Sequence, residues 1–302
     1  MDDSDKIGAV NRMQEYIADH LDEEITLEAL GAAAGYSKYH AARLFAELTD
    51  KPPFAYIRAL RLTRAAQSLR DTGGQVIDVA LDSGFGSHDG FTRAFAREFA
   101  ITPQEYARKT PAVRWFVPYP VVHAHIFNEE VEPMQHEKVS RTVTVTAVER
   151  PARKLILQRA KQTRDGDYFA FCEEMGCEWE GLLGSIPEKF DSPALLTLPS
   201  SLVKPGTSNT AAGVEVPADY AKPVPAAYDV IDLPPCTMLY FVGAPYASED
   251  DFCIAIGIAE EAMEAYDPVP FGRQPAPSLA PRFNFGSSAA GGARMAMPAK
   301  AS

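Results

Sequence analysis

Residues 25–58 and 76–108 carry one pattern, and a pattern used twice restricts the N-terminal third of the chain to a duplicated supersecondary unit. In the first copy Leu27, Ala29 and Leu30 begin a short amphipathic helix, Gly35-Tyr36-Ser37 breaks it, and residues 38–48 form a second helix. In the second copy Ile77, Val79, Ala80 and Leu81 begin the helix, Gly84-Phe85-Gly86-Ser87 breaks it, and residues 88–99 follow. Gly35/Gly84 and Tyr36/Phe85 pair at an offset of 49, whereas Arg43/Arg93, Phe45/Phe95, Pro53/Pro103, Tyr56/Tyr106 and Arg58/Arg108 pair at 50. The second turn has one more residue than the first.

Each copy has the physics of two helices packed across a tight turn, a helix-turn-helix. Glycine takes the left-handed conformation that stops the first helix, and Ser37 or Ser87 is placed to cap the next. Leu44 with Phe45, and Phe91 with Phe95, supply the inward stripe at helical spacing. The outward stripe then holds Lys38, Tyr39, Ala42 and Arg43 in one copy and His88, Asp89, Thr92 and Arg93 in the other. These are the candidate readers of double-stranded DNA. Between the copies, residues 53–69 form a long helix carrying Arg58, Arg61 and Arg64, with Arg61 a further candidate DNA contact, and a rigid connector sets the spacing of two readers. Reading one face of B-DNA twice needs centres about 34–36 Å apart. A single copy is equally an ordinary αα-hairpin; two copies with a basic connector favour DNA.

Charge agrees locally. The whole chain carries −12, which argues against a general nucleic-acid binder. Residues 36–114 hold 12 basic against 8 acidic side chains, while residues 1–35 and the part after 115 are acidic. A modest local excess implies a few well-placed contacts and affinity that falls with salt.

GYSKYHAARLF, KPPFAYIRALRLTRAA and VIDVALDSGFGSHDGFTRAFAREFAITPQEYAR resemble the DNA-binding domain of AraC/XylS-type transcription regulators over residues 8–109. The resemblance implies recognition helices in adjacent major-groove segments, with Tyr39, Ala42 and Arg43 in the first and His88, Asp89, Thr92 and Arg93 in the second. Ala42 stands where some relatives carry a polar reader. Asp89 replaces what is often a neutral amide, and its charge would repel phosphate and favour a cytosine amino group.

A 302-residue chain needs a second domain. Pro111, Pro118, Pro120 and Pro133 punctuate residues 111–140 as a linker between an all-α domain at 1–110 and a domain at 141–302. In the latter, residues 142–148, 153–159, 228–233, 236–242, 282–285 and 293–297 have strand character, and 167–183 and 251–266 have helical spacing. Pro151/Pro235, Leu155/Leu239, Leu157/Phe241, Asp167/Asp251 and Trp179/Met263 align at an offset of 84. The expected fold is therefore α+β with an antiparallel sheet, two pseudo-twofold halves and a cleft at their seam, where pockets are favoured.

That succession of elements, ERPARKLILQ, the Trp-containing helix and APRFNFG resemble the GyrI-like effector-binding domain over residues 141–300. The resemblance implies a cleft for small, lipophilic, often cationic molecules, with aromatic walls and a buried glutamate. Phe169, Trp179, Tyr240, Phe283 and Phe285 are candidate walls, with Phe171 and Phe241 available beside them. Ala296 falls where relatives place the glutamate. Glu180 is the candidate substitute, with Glu178 close by; a solvated helix face is the plainer reading of both. The departure suggests a neutral ligand or a reduced response to cations.

The expected function is thus a sequence-specific transcription regulator whose second domain binds a small-molecule effector. RNA polymerase is a further candidate partner. The alternatives are a GyrI-like hydrolase fused to a DNA-binding domain, for which Trp179 with Glu180 is the one candidate constellation, and a constitutive regulator without ligand. No catalytic residue, metal site or cofactor is expected: the six histidines include no helical pair at metal spacing. Cys172, Cys177, Cys236 and Cys253 form no C-x-x-C pair and read as small hydrophobes. No apolar run reaches the roughly 20 residues of a membrane span, and the acidic start is unlike a signal peptide, so a cytoplasmic protein is expected.

Overall fold

The computed structural model describes residues 3–72, 76–85, 87–119, 121, 139–248 and 251–302. Its contacts separate two compact units, Met1–Glu132 and Pro133–Ser302.

The first unit is helical: α1 (Asp3–Asp19), α2 (Leu27–Ala34), α3 (Lys38–Thr49), α4 (Pro53–Asp71), α5 (Val76–Asp82), α6 (His88–Phe99) and α7 (Pro103–Lys109). Two cores share α4. Tyr56 and Ile57 from its first half pack with Val10, Met13 and Ile17 of α1 and with Leu30, Leu44 and Phe45. Leu62, Ala65, Ala66 and Leu69 from its second half pack with Val79, Phe91, Phe95, Phe99 and Tyr106. The connector therefore belongs to both helix-turn-helix pairs, α2–α3 and α5–α6.

The two turns are built alike. Gly35 (φ 73°) and Gly84 (φ 69°) are left-handed. Gly35 N donates to Ala32 O at 3.1 Å and Tyr36 N to Gly31 O at 2.9 Å; Gly84 N donates to Leu81 O at 3.1 Å and Phe85 N to Ala80 O at 3.3 Å. Each pair of bonds satisfies carbonyls that the helix end leaves open. Ser87 Oγ accepts from Gly90 N at 3.1 Å, whereas Ser37 makes no side-chain cap. Asp50 (φ 52°) and Ala100 (φ 55°), one repeat apart, both close their helices in the left-handed region without being glycine.

Gly31 shows how closely α2 meets the turn. A Cβ there would lie 2.9 Å from Tyr36 O and 3.0 Å from Lys38 N, both backbone atoms. Gly31→Val should cost about 1–3 kcal/mol through overpacking. It should lower the melting temperature of the first unit by several degrees in calorimetry; an unchanged melt would mean that α2 and α3 are not held this closely.

The segment expected to be a linker from residue 111 is packed at residues 113, 115, 116 and 121. Val113 is buried in the second core, and the Arg70 guanidinium lies 4.5 Å from the Trp115 ring centre. Phe116 stacks edge-on against Tyr56, and its N–H donates to Thr63 Oγ1 at 2.9 Å. Asn11 exchanges two hydrogen bonds with the Val121 backbone, at 2.9 and 3.0 Å. Aromatic side chains hold this stretch down although its prolines and lack of period suggested otherwise. Pro120, His123, His125, Pro133 and His136 lie outside the described residues.

The second unit contains β1 (Val143–Arg150), β2 (Arg153–Arg159), α8 (Tyr168–Met175), α9 (Glu178–Gly184), β3 (Ala194–Thr197), β4 (Thr210–Pro217), β5 (Asp229–Leu233), β6 (Cys236–Gly243), α10 (Phe252–Ala265), β7 (Arg273–Pro275), β8 (Arg282–Ser288) and β9 (Gly292–Ala301). The expected helix over 167–183 is two helices, because Gly176 leaves helical geometry at φ 77°. Strands β3, β4 and β7 were not anticipated. The sheet is antiparallel with the order β1-β6-β9-β8-β3-β4-β2-β5, and β7 pairs with β9.

One face of the sheet carries α10, which packs on Leu239, Phe241, Met295 and Met297. On the opposite face Leu155, Leu157, Leu196, Met238, Tyr240, Phe283 and Ala296 form a continuous core. This corrects the offset of 84 within the strands: Leu155 and Leu157 face away from the helices, whereas Leu239 and Phe241 face α10. A one-residue slip in a strand exchanges its faces, so Met238 and Tyr240 are the residues on Leu155's side. No helix among the described residues is long and apolar enough to cross a membrane.

Candidate functional site

Apart from Arg61 on α4, the candidate reader residues occupy the first two turns of α3 and α6. Their inward neighbours Leu44, Phe45, Phe91 and Phe95 are buried, and the 3.6-residue period then turns the remaining positions outward. Tyr39, Arg43, His88, Asp89 and Arg93 are exposed, while Lys38, Ala42 and Thr92 are half-buried. Arg43 Nη2 lies 3.2 Å from His40 Nδ1, and Arg93 Nε donates to its own helix at Asp89 O, 3.3 Å away. Both guanidiniums thus rest on their own helices. Lys38 is paired with Glu28, which holds that carboxyl below its ordinary range, and its ammonium sits 5.3 Å from the Tyr39 ring centre. His88 Nδ1 lies 3.7 Å from Asp89 Oδ1. Thr92 Oγ1 is buried without a hydrogen-bond partner.

Arg61 stands apart from the other candidate readers. Its Nε donates to Leu21 O at 2.9 Å and its Nη2 to Glu23 O at 2.5 Å. A Cβ added at Gly84 would come within 3.1 Å of its guanidinium carbon. The side chain ties the α1–α2 connection to the turn of the second helix-turn-helix, and that geometry makes it a positioning residue. Surface spacing on α4 alone could not distinguish it from Arg64, which pairs with Asp22 at 3.0 Å on the exposed side.

In the second unit the candidate wall residues fall into two groups. Tyr240, Phe283 and Phe285 form a ring stack on the sheet face away from α10, with centroids 6.1 Å apart for Tyr240–Phe285 and 5.7 Å for Phe283–Phe285. Ala296 is the register partner of both Tyr240 and Phe283. Phe169 and Trp179 belong to α8 and α9, where Tyr168 lies against both and Phe171 meets Trp179 edge-on. Trp179 is buried, and Glu180 accepts from the Tyr168 hydroxyl at 3.1 Å. No ring contact joins the two groups among the described residues.

The charged groups around the ring stack were not anticipated. Asp191 Oδ2 accepts from Arg150 and, at 2.6 Å, from the Tyr240 hydroxyl; its Oδ1 accepts from Arg294 Nη2 at 2.5 Å. These donors hold the Asp191 carboxyl below its usual range although burial opposes them, and burial, together with the neighbouring Asp191, pushes the Tyr240 phenol well above its own. Arg153, fully buried, donates from Nε to Glu215 Oε1 at 2.6 Å and from Nη1 to Pro234 O at 2.7 Å. Burial nevertheless raises the Glu215 carboxyl above its ordinary value. The interval from Arg150 to Arg294 leaves no local pattern to read. Glu215 offered one signal, a charge inside the apolar run Gly213-Val214-Glu215-Val216.

A family model described as a helix-turn-helix domain matches residues 30–109. The Right origin-binding protein of Escherichia coli K12 is 41% identical over 104 residues, which are 34% of this chain and 36% of that protein. The regulatory protein SoxS of Salmonella typhimurium is 35% identical over 100 residues, covering 33% of this chain and 94% of that protein. Among solved structures, a transcriptional regulator described by an AraC-type DNA-binding domain, from Chromobacterium violaceum, is 26% identical over 33% of this chain and 90% of that one, with a TM-score of 0.32. The match thus spans about a third of the length of the Right origin-binding protein.

Proposed function

This chain belongs to the AraC family of helix-turn-helix regulators, and from that premise we propose that it controls transcription by binding a specific double-stranded DNA site through α3 and α6. The observation that carries this reading is the shared connector: one helix, α4, is built into both cores, so two exposed reader faces are presented by one rigid body. Tyr39 and Arg43 read one major-groove segment, and His88, Asp89, Thr92 and Arg93 the next. Lys38 and Ala42 flank the first group, and Arg61 sets the relation between the two.

The second unit is the effector domain in this reading. It is GyrI-like, with one half formed by β1–β4, α8 and α9 and the other by β5, β6, β8, β9 and α10. The sheet order supports the duplication, since exchanging β1 with β5, β2 with β6, β3 with β8 and β4 with β9 returns the same order from the opposite edge. The pseudo-twofold axis then passes between β3 and β8. The ring stack Tyr240–Phe283–Phe285 lies on the face that carries no α10, and its half-buried rim at Phe285 is the proposed contact for a small effector. An effector changes DNA binding only if it binds the competent and incompetent states with different affinities.

Selection of bound sequences from a random DNA pool tests the reading. A single asymmetric site with two half-elements about one helical turn apart is expected, bound roughly 10³-fold or more above random DNA. Affinity should fall steeply as salt is raised. No enrichment would sink the proposal.

A further inference from the structure

Resting on the effector reading, we propose that the half-buried rim of the ring stack, at Phe285, takes a planar aromatic ligand bearing a carboxylate or similar monoanion, with Arg294 as the residue that binds the charge; Tyr240 and Phe283 are buried beneath it.

The seat that a lipophilic cation would need is already filled by the chain itself. The Arg294 guanidinium lies 4.5 Å from the Phe285 ring centre and 4.7 Å from that of Tyr240. Arg150 approaches Tyr240 from elsewhere, at 5.8 Å, and Phe190 at 5.1 Å. Electron-rich ring faces attract one cation each side; an incoming ammonium would compete with these guanidiniums and be repelled by them.

Among the described residues at the ring stack, no carboxylate is open to a cation either. Asp191 is divided among Arg150, Tyr240 and Arg294. Glu215 is held by Arg153, and its other oxygen lies 3.7 Å from Arg150 Nε. At Ala296, between Tyr240 and Phe283 in the register, there is a buried methyl group and no acid.

The local balance is positive. Arg150, Arg153 and Arg294 meet two acids, Asp191 and Glu215. Arg150 Nε is a buried donor without a hydrogen-bond acceptor, a condition that costs free energy until an acceptor arrives. Arg294 is the accessible member: its side chain is 36% exposed against 14% for Arg150. Among the described residues only its Nη2 is engaged by an acid, which leaves donors of the planar fork for a carboxylate. A flat apolar body beside that carboxylate meets Phe285, which is half-buried and stacks parallel to Phe283 within 12°.

A wide depression of about 580 Å³ elsewhere on this unit, bordered by Arg164, Leu198, Lys204 and Asn209, is lined by no aromatic ring and shares no residue with this charged cluster. It lacks the flat apolar wall that an aromatic ligand requires.

Titration calorimetry on the full chain with 2-naphthoate, 2-naphthamide and 2-naphthylmethylammonium varies the charge on one ring system. The naphthoate should bind at least ten-fold tighter than the other two. Arg294→Met should remove at least ten-fold of that affinity, and Arg294→Lys less; Asp191 keeps Arg150 and Tyr240 in both variants. Equal or tighter binding of the amide or ammonium overturns the anionic assignment and leaves an effector cleft standing. Naphthoate affinity unchanged in a folded Arg294→Met variant also overturns it. Absence of heat with all three probes overturns the anion site and removes the ring stack as support for the effector reading. The ladder of ligand charge on the unaltered protein decides the matter even if a variant fails to fold.

Discussion

Glu215→Ala should destabilise the sheet unit by about 3–5 kcal/mol, the cost of stranding one member of a buried ion pair. Arg153 has no exposed surface in its side chain and cannot reach water when its acid is removed. Its bond to Pro234 O would remain, but a neutral carbonyl does not balance a buried cation. In a unit of this size, 1 kcal/mol corresponds to roughly 2–4 °C, so the melting transition of the sheet unit should fall by about 10 °C in calorimetry. Burial raises the Glu215 carboxyl in spite of Arg153, which indicates that desolvation outweighs the attraction. The double variant Arg153→Met/Glu215→Leu should therefore recover most of the loss, as apolar replacements of buried pairs often do. A double variant no more stable than Glu215→Ala would show that the pair itself, and not the stranded charge, carries the stability. The raised carboxyl also has a pH sign: the folded unit binds this proton more readily than the unfolded chain. This group's contribution is most favourable below the unfolded glutamate range and is lost as pH rises through the folded value.

Replacing both reader arginines should abolish specific DNA recognition while leaving the fold intact. Arg43 and Arg93 are exposed and make contacts within their own helices, so Arg43→Ala and Arg93→Ala should each change stability by less than about 0.5 kcal/mol. A bidentate arginine–guanine contact is worth about 1–3 kcal/mol of discrimination. The two residues stand on different helix-turn-helix pairs and should act additively, giving a combined loss of specific affinity of about 10²–10⁴-fold. Fluorescence anisotropy with the selected operator and with random DNA separates the outcomes. Loss confined to the operator supports base reading; equal weakening on both DNAs would demote the arginines to phosphate contacts; no loss would remove α3 and α6 as readers.

The helical unit was legible because its signals are local. Apolar positions recur at three and four residues, and Gly35, Gly84 and Ser87 mark turns and caps. The hidden parts depended on distant partners. Arg61 and Arg64 are both basic residues of α4, yet one faces the Leu21 and Glu23 carbonyls and the other an exposed acid. In the sheet unit, β4 has no alternating signature in the sequence because it is buried along nearly its whole length. Its Gly213 is required where a Cβ would lie 2.9 Å from Ile156 O. The slipped offset of 84 has a similar origin: Leu155 and Leu239 have the same chemistry, and only the sheet decides which face each occupies.

The sequence by itself determined the duplicated helix-turn-helix, the outward and inward stripes of its second helices, the family of that unit and the existence of a second, sheet-bearing unit. Helical periodicity, turn chemistry and motif spacing act over tens of residues and are written in order along the chain. Tertiary structure alone decided the composition of the proposed effector site. Arg150, Tyr240 and Arg294 come from separate strands that antiparallel pairing brings together, and Asp191 meets them from the connection between α9 and β3. Strand neighbours are set by topology and register, and the charge of a cleft is the sum over residues that only the folded sheet brings within hydrogen-bonding distance.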